Sequence, residues 1–191
     1  MVATKLMTAE EFEALHSNEK LLELVEGEVR EVPFAGARHG SLGVRLTIFL
    51  GNHVYQQALG DLFGSDTDFI VRRNPDSVLK PDVSFVSAAR LPAEEAWKGA
   101  VPFAPDLAVE IESPSNTRSE LLRKVSLYLA GGSRLVWLVR PELRTVTVFS
   151  PDSPERTLGE ADMLDGGDVV PGFSLPLAEL FRPYPRRGRA G

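Results

Sequence analysis

Two short segments carry carboxylates where a plain strand would carry threonine or valine: KPDVSFVS (Lys80 to Ser87) and DLAVEIES (Asp106 to Ser113). In the second, Leu107, Val109 and Ile111 alternate with Ala108, Glu110 and Glu112. Side chains alternate across a strand, so one face is apolar and the other bears two acids about 7 Å apart along the backbone. In the first, Val83 and Phe85 alternate with Asp82 and Ser84. If the two strands are neighbours, Asp82 and Glu110 converge on one spot. Like charges that close are unfavourable unless a cation or a shared proton joins them. For ligands that are all oxygen, a divalent metal is the usual answer.

The elements that would position these acids are legible in outline. Thr8-Ala9-Glu10-Glu11 is a capping box, and a short helix to about Leu15 should follow. Leu21 to Val32 alternates around Glu26-Gly27 as a hairpin. Between about His39 and Leu59, Leu42, Leu46, Phe49, Leu50, His53 and Val54 recur at helical spacing, with Gly60 as the stop. Asp61–Gly64 and Thr67–Arg72 read as strands, or as one bulged strand, and Asn74 to Ser77 as a turn. The two acidic strands follow, separated by a polar stretch whose LPAEEAW suggests one helical turn. Ser115-Asn116-Thr117 caps a helix to about Ala130, ended by Gly131-Gly132. Arg134 to Val139 and Thr145 to Phe149 form a last strong hairpin. Weaker strands are expected near 156–158 and 168–170, then a helical turn at Pro176 to Phe181. Helices alternate with strands, which predicts a mixed sheet with helices on both faces.

Composition narrows the class. The 191 residues suggest one domain, 1–181, with a core at about 39–150 and a basic, flexible tail at 182–191. At 43% hydrophobic the chain can bury a core, and without cysteine it has no disulfide frame and no thiolate zinc site. No stretch approaches the ~20 apolar residues of a membrane span, and the N-terminus lacks a signal-peptide core, so the expected location is cytoplasmic. A net charge of -6 argues against indiscriminate nucleic-acid binding but not against a local basic groove. A glycosidase would use two acids in a cleft lined with aromatics, and 8% aromatic residues argue against it.

Pro81-Asp82, followed by Glu110 in EIES, resembles the PD-(D/E)XK nuclease superfamily. The wider series is similar to one branch of it, the Uma family of restriction-endonuclease-like proteins. Its matching parts are Glu23 to Glu28, His39, Pro81-Asp82, Ala104 to Ser115, Lys124 and Val136-Trp137. The resemblance runs in order from about Leu21 to Phe149. It implies an α/β fold with a restriction-endonuclease-like αβββαβ core, a mixed central sheet flanked by helices, an added N-terminal helix and hairpin, and C-terminal strands. It further implies metal-dependent phosphodiester cleavage, with nucleic acid, DNA above all, as partner. Asp82, Glu110 and the main-chain carbonyl of Ile111 would hold Mg²⁺ or Mn²⁺. A lysine would steady the attacking water or the developing negative charge. The superfamily motif puts that lysine two residues after the glutamate, where this chain has Glu112, so the role falls to Lys124 on the following helix. Nucleases of this kind commonly act as dimers, which leads to an expected homodimer or higher homo-oligomer. The competing reading is a nuclease-fold module without turnover, serving nucleic-acid binding or protein assembly.

Each residue also has a structural reading. Asp82 could be a strand-edge acid, and Glu112 either a third ligand or a solvated end. Lys124 could pair with Glu120 four residues earlier. His39, placed in the site by the resemblance through phosphate contact or proton transfer, could instead cap or begin the long helix. His53 continues its stripe into the core, and His16 reads as surface. Glu23 and Glu26 are strand acids that the resemblance puts at the rim of the site. Asp106 ends the Pro105 loop, and Ser113-Pro114-Ser115 is a turn first and a phosphate anchor second. Arg72, Arg73, Lys80, Arg118, Arg123 and Lys124 could track a phosphate backbone, as could Arg186, Arg187 and Arg189 in the tail.

Overall fold

The computed structural model describes residues 6–15, 21–33, 36–91 and 98–183. The capping box forms as expected: the Thr8 hydroxyl accepts from Glu11 N and the Glu11 carboxylate from Thr8 N, opening α1 (Ala9–Glu13). A hairpin of β1 (Leu22–Val25) and β2 (Glu28–Glu31) turns at Glu26-Gly27, both with positive φ. The long helix α2 (Ala37–Gln56) follows. Then come β3 (Gly60–Gly64), β4 (Phe69–Arg72), β5 (Ser77–Leu79) and β6 (Val83–Ser87). After them lie β7 (Leu107–Ile111), α3 (Arg118–Ala130), β8 (Leu135–Arg140) and β9 (Thr145–Ser150). The chain closes with β10 (Ser153–Leu158), β11 (Met163–Asp165), β12 (Ser174–Pro176) and α4 (Leu177–Leu180).

The main sheet has six strands in the order β10-β9-β8-β7-β6-β3. Only β7 and β8 run parallel, because α3 carries the chain from one to the other. The sequence α2-β3-β6-β7-α3-β8 is the expected αβββαβ core. A second, antiparallel sheet has the order β2-β1-β5-β4, and β11 and β12 make a small third one.

Several elements differ from the sequence reading. Residues 61–72 do not form one bulged strand: β3 borders the main sheet and β4 the second one. Asn74 to Ser77 does not end in a turn alone, since Ser77 opens β5, which pairs with both β1 and β4. Residues 168–170 form a turn between β11 and β12, where two glycines and Pro171 break the extended pattern. His53 is only half-buried, with Nε2 2.8 Å from the Pro171 carbonyl and its ring edge-on to Phe173. LPAEEAW falls mostly in residues 92–97, and His16 and the tail arginines also lie outside the described residues.

Both faces of the main sheet are covered. Leu42, Leu46, Leu50 and Val54 of α2 pack on Val83, Phe85, Leu107, Val109 and Ile111. On the other face, Leu121, Val125 and Tyr128 of α3 pack on Val86, Ala108, Val136 and Leu138. The same α3 cluster includes Val25, Phe69, Val71 and Leu79 from the second sheet. Helix α3 is therefore wedged between the two sheets. Gly131 ends it where a Cβ would come within 2.3 Å of the Val71 carbonyl oxygen, so the close approach of helix and second sheet needs glycine there. Among the described residues no helix is long and apolar enough to cross a membrane.

Asp106 does more than end a loop. Its buried carboxylate accepts from Ser87 N (2.8 Å) and Arg90 Nη1 (2.8 Å). Its own N–H reaches Phe85 O, and its carbonyl accepts from Arg134 N and Leu135 N. One residue thus ties the ends of β6, β7 and β8. Burial by itself would raise this carboxyl, but the Ser87 N–H and the Arg90 guanidinium outweigh it and hold the pKa below the ordinary value. Asp106→Ala, which takes the carboxylate away from Arg90 and from Ser87 N, is expected to lose roughly 3–5 kcal/mol in urea denaturation at pH 7. A depressed carboxyl contributes stability above its unfolded pKa of ~3.9 and loses it as pH falls through the folded value, so the gap between wild type and Asp106→Asn should close in acid. A gap that is constant from pH 7 to the acid transition would refute this role.

Candidate active site

The acids meet because Lys80-Pro81-Asp82 is the link between two sheets. β5 ends at Leu79 in the second sheet, and β6 begins at Val83 in the main one. Val83 pairs with Val109, so Asp82 stands across from Glu110 at the end of the β6–β7 ladder. Asp82 is locked there: its N–H reaches Val109 O (2.9 Å), and its Oδ2 accepts from Ile111 N (2.6 Å). The same Oδ2 lies 3.0 Å from His39 Nε2. His39 projects from the first turn of α2 on the side of the core stripe. The hydrogen bond to Asp82 raises its pKa, against the effect of burial, and so favours the imidazolium.

Glu110 does not face solvent. Strand β7 is buried on both faces, and the Glu110 side lies beneath α3. The face that bears the acid is thus as buried as the apolar one. The Tyr128 hydroxyl donates to Glu110 Oε1 (2.7 Å), and Lys124 Nζ lies 3.3 Å from both carboxylate oxygens. Lys124 also donates to Glu23 Oε1 (2.7 Å), which accepts Lys80 N (3.0 Å) as well. Glu23 is 3% exposed and Glu110 4%. Burial pushes the Glu110 carboxyl up to about 7, with Asp82 and Glu23 pushing the same way against the pull of Lys124. The Lys124 ammonium is held above its ordinary range, because Glu110 and Glu23 outweigh its desolvation. It is therefore a fixed cation at neutral pH, suited to stabilising charge rather than to accepting a proton.

Tyr128 and Lys124 lie four residues apart on α3, one above the other on the face that meets Glu110. The alternative pairing of Lys124 with Glu120 does not form. Glu120 is spent on the helix cap, accepting from Thr117 N (2.9 Å) and the Thr117 hydroxyl (2.7 Å). Glu112 sits just past β7, half-buried, where its N–H continues the ladder to Val139 O. Its carboxylate takes no part in the Glu110–Lys124–Glu23 network. Ser113 and Asn116 close the turn before α3 on each other, with Ser113 N–H and Oγ both on Asn116 Oδ1.

Glu26, the other strand acid, pairs outward with Arg72 and Arg123. Arg73 is taken by Glu10 and Asp76, and Lys80 by Asp68. Of the six cations considered as a phosphate track, all but Arg118 are thus engaged by carboxylates. Beside the site, a cleft of about 170 Å³ opens over Glu23 and Lys124, with Arg30, Ser115, Asn116 and Arg123 in its walls.

One partner was not picked out by sequence reasoning, and another was placed only at the rim. Tyr128 was not singled out, although a buried tyrosine hydroxyl needs a partner and so pointed to a polar group under α3. Glu23 read as a rim acid, whereas it holds Lys124 from the second sheet. Among the described residues, no group of three or more His, Cys, Asp or Glu side chains is arranged to hold a metal. What is present is a pair of carboxylates on adjoining strands. Such a set suits Mg²⁺, which binds one or two carboxylates and keeps several waters. The upward displacement of Glu110 by burial and neighbouring acids is the kind of charge crowding that a cation relieves.

The αβββαβ core, with an acid before one strand and a glutamate inside the next, defines a PD-(D/E)XK-like nuclease fold. The chain belongs to the Uma2 family, whose model, described as "Putative restriction endonuclease", matches residues 9–178. A crystal structure of a "putative nuclease belonging to DUF820" from Anabaena variabilis ATCC 29413 has the same fold, with a TM-score of 0.80 and 23% identity. The match covers 92% of this chain and 97% of that one. No curated protein matches the chain.

Among the described residues Lys124 is the only ammonium facing both Glu23 and Glu110, so Lys124→Met would leave two buried acids without it. The expected loss is roughly 3–5 kcal/mol in urea denaturation without metal. Adding Glu23→Gln to that variant should restore part of the loss, giving a coupling above ~1 kcal/mol in the double-mutant cycle. Strict additivity would show that the three groups do not act as a unit.

Proposed function

We propose that this chain is a metal-dependent endonuclease that cleaves phosphodiester bonds in DNA, using Mg²⁺ or Mn²⁺ and acting as a homodimer or higher homo-oligomer. The observation that carries the reading is the junction of Asp82 and Glu110 on adjoining strands, with the Lys124 ammonium within 3.3 Å of the Glu110 carboxylate. Asp82, Glu110 and the Ile111 carbonyl would hold the metal. Once bound, it would supply polarisation of the phosphoryl oxygen and activation of water.

The chain's own residues supply the rest. Lys124, fixed as a cation by Glu23, places positive charge beside the reacting phosphate, where negative charge develops. Tyr128 orients Glu110 through its hydroxyl. His39 holds one oxygen of Asp82, which leaves the carboxylate aimed by two fixed donors, His39 and Ile111 N. Its imidazolium also offers a donor to a substrate phosphate. Glu112, close after Glu110, would act through water or substrate rather than through the buried network.

A second reading, a nuclease-fold module that binds or assembles without turnover, has one observation in its favour. Most cations near the acids are already matched by carboxylates. The two readings differ in a plasmid assay with Mn²⁺. The nuclease reading expects nicking by wild type and a drop of about 10²–10³-fold in Asp82→Asn and Glu110→Gln. Equal nicking by all three proteins would point to a contaminant and remove its support. Mn²⁺ should also raise the melting temperature of wild type and leave Glu110→Gln unmoved, since only a bound ligand shifts the folding equilibrium.

A further inference from the structure

A second cavity lies on the α2 side of the protein, and its composition is unusual. It measures about 260 Å³ and is lined by Arg38, Ser41, Leu42, Arg45, Arg144, Phe181, Arg182 and Pro183. Four of these are arginines, and none is acidic. The guanidinium groups come from three places in the chain. Arg38 and Arg45 lie two turns apart on one side of α2, Arg144 closes the β8–β9 turn, and Arg182 follows α4. Such convergence of like charge opposes folding unless something of opposite sign is met there.

The acids that answer these arginines are not in the cavity wall. Arg38 meets Glu142 (2.6 Å), Arg144 meets Glu160, and Arg182 meets Glu179 (3.5 Å). The Arg38 and Arg182 pairs have both partners more than half exposed. Exposed pairs of this kind hold weakly and exchange with solvent ions. Two of the arginines are built in firmly. Arg45 donates to the carbonyls of Leu180 (3.1 Å) and Arg182 (2.6 Å), and Arg144 lies 5.9 Å from the Phe181 ring centroid. They form the back wall, with the more exposed Arg38, which also donates to the Pro141 carbonyl (2.7 Å), and Arg182 at the front.

The location links the cavity to the acids. Arg38 is the residue before His39, whose ring bonds Asp82. The β8–β9 turn follows the end of β8 that lies beside Ile111 in the parallel ladder. The arginine cavity and the Asp82–Glu110 junction therefore sit at the same end of the main sheet, the cavity toward α2 and the cleft over Lys124 toward α3.

We propose that this cavity is a phosphate subsite, which grips a backbone phosphate of the nucleic acid strand away from the bond being cut; the choice of ligand rests on the nuclease reading of the adjoining site. Guanidinium is the group suited to this task, because its planar fork gives two parallel hydrogen bonds to a phosphate and does not lose its proton. The subsite supplies the local basic surface that the overall acidic charge does not.

The test uses Arg38→Glu/Arg182→Glu, which changes the two front arms and leaves the back wall intact. Arg134→Glu/Arg156→Glu makes the same charge change at the opposite end of β8 and serves as control. Binding of a labelled DNA duplex and its single strand is followed by fluorescence anisotropy, without divalent metal, across a salt series. The front-arm variant should bind at least ~10-fold more weakly at 100 mM salt, with the slope of log K against log salt reduced by about 1–2, while the control keeps the wild-type slope. If the reversed charges unfold the protein by circular dichroism, Arg38→Gln/Arg182→Gln should show the same direction with a smaller loss. In a separate arm, pyrophosphate should raise the melting temperature of wild type and not of the front-arm variant. Unchanged slope and affinity in the front-arm variant, or equal loss in the control, overturns the subsite. Nicking by wild type with an unchanged slope would sink the subsite and spare the nuclease reading; a reduced slope and a pyrophosphate response without nicking would do the reverse.

Discussion

The arrangement depends on one half-buried ammonium. Lys124 sits on α3 between two sheets and donates to Glu23 in one and to Glu110 in the other. Two buried carboxylates would be costly if left alone. With Lys124 they form a compensated unit that neither sheet could house by itself. The apolar side of α3 packs on both sheets, and the charge triad bridges them.

That constraint explains why the site lies at a seam. The Lys80-Pro81-Asp82 link leaves one sheet and enters the other, so Asp82 is set at the boundary by the path of the chain. Backbone hydrogen bonds to Val109 and Ile111 then hold it opposite Glu110. Asp106 fixes the far ends of β6, β7 and β8, so the register that opposes Asp82 and Glu110 is pinned at both ends. Burial and its acidic neighbours push Glu110 toward the neutral form. Such local conflict within an otherwise consistent fold is what a functional site looks like.

Much of this was legible in the sequence. The caps at Thr8 and Thr117, the hairpin at Glu26-Gly27, the amphipathic stripe of α2 and the β8–β9 hairpin all follow from local chemistry. Asp82 and Glu110 stood out because charged residues interrupt apolar patterns there, whereas Lys124 entered through the family resemblance. The second sheet was not legible, since β4 and β5 are short and look like parts of one meander with β3 and β6. Residues 168–170 misled because two valines suggest extension, whereas the neighbouring glycines and Pro171 impose a turn. The roles of Glu23 and Tyr128 were hidden for another reason: each is ordinary in its own element and becomes special only through a contact made between elements, Glu23 with Lys124 about a hundred residues away and Tyr128 from α3 onto Glu110 in β7.

The sequence by itself determined which residues could do chemistry and which elements would carry them, because capping, periodicity and isolated charges act over a few residues. The tertiary structure alone decided that α3 lies between two sheets, that Lys124 chooses Glu23 and Glu110 over its helical neighbour Glu120, and that four arginines share one cavity. Those outcomes depend on burial and on distances between segments far apart in the chain, and no local pattern encodes them.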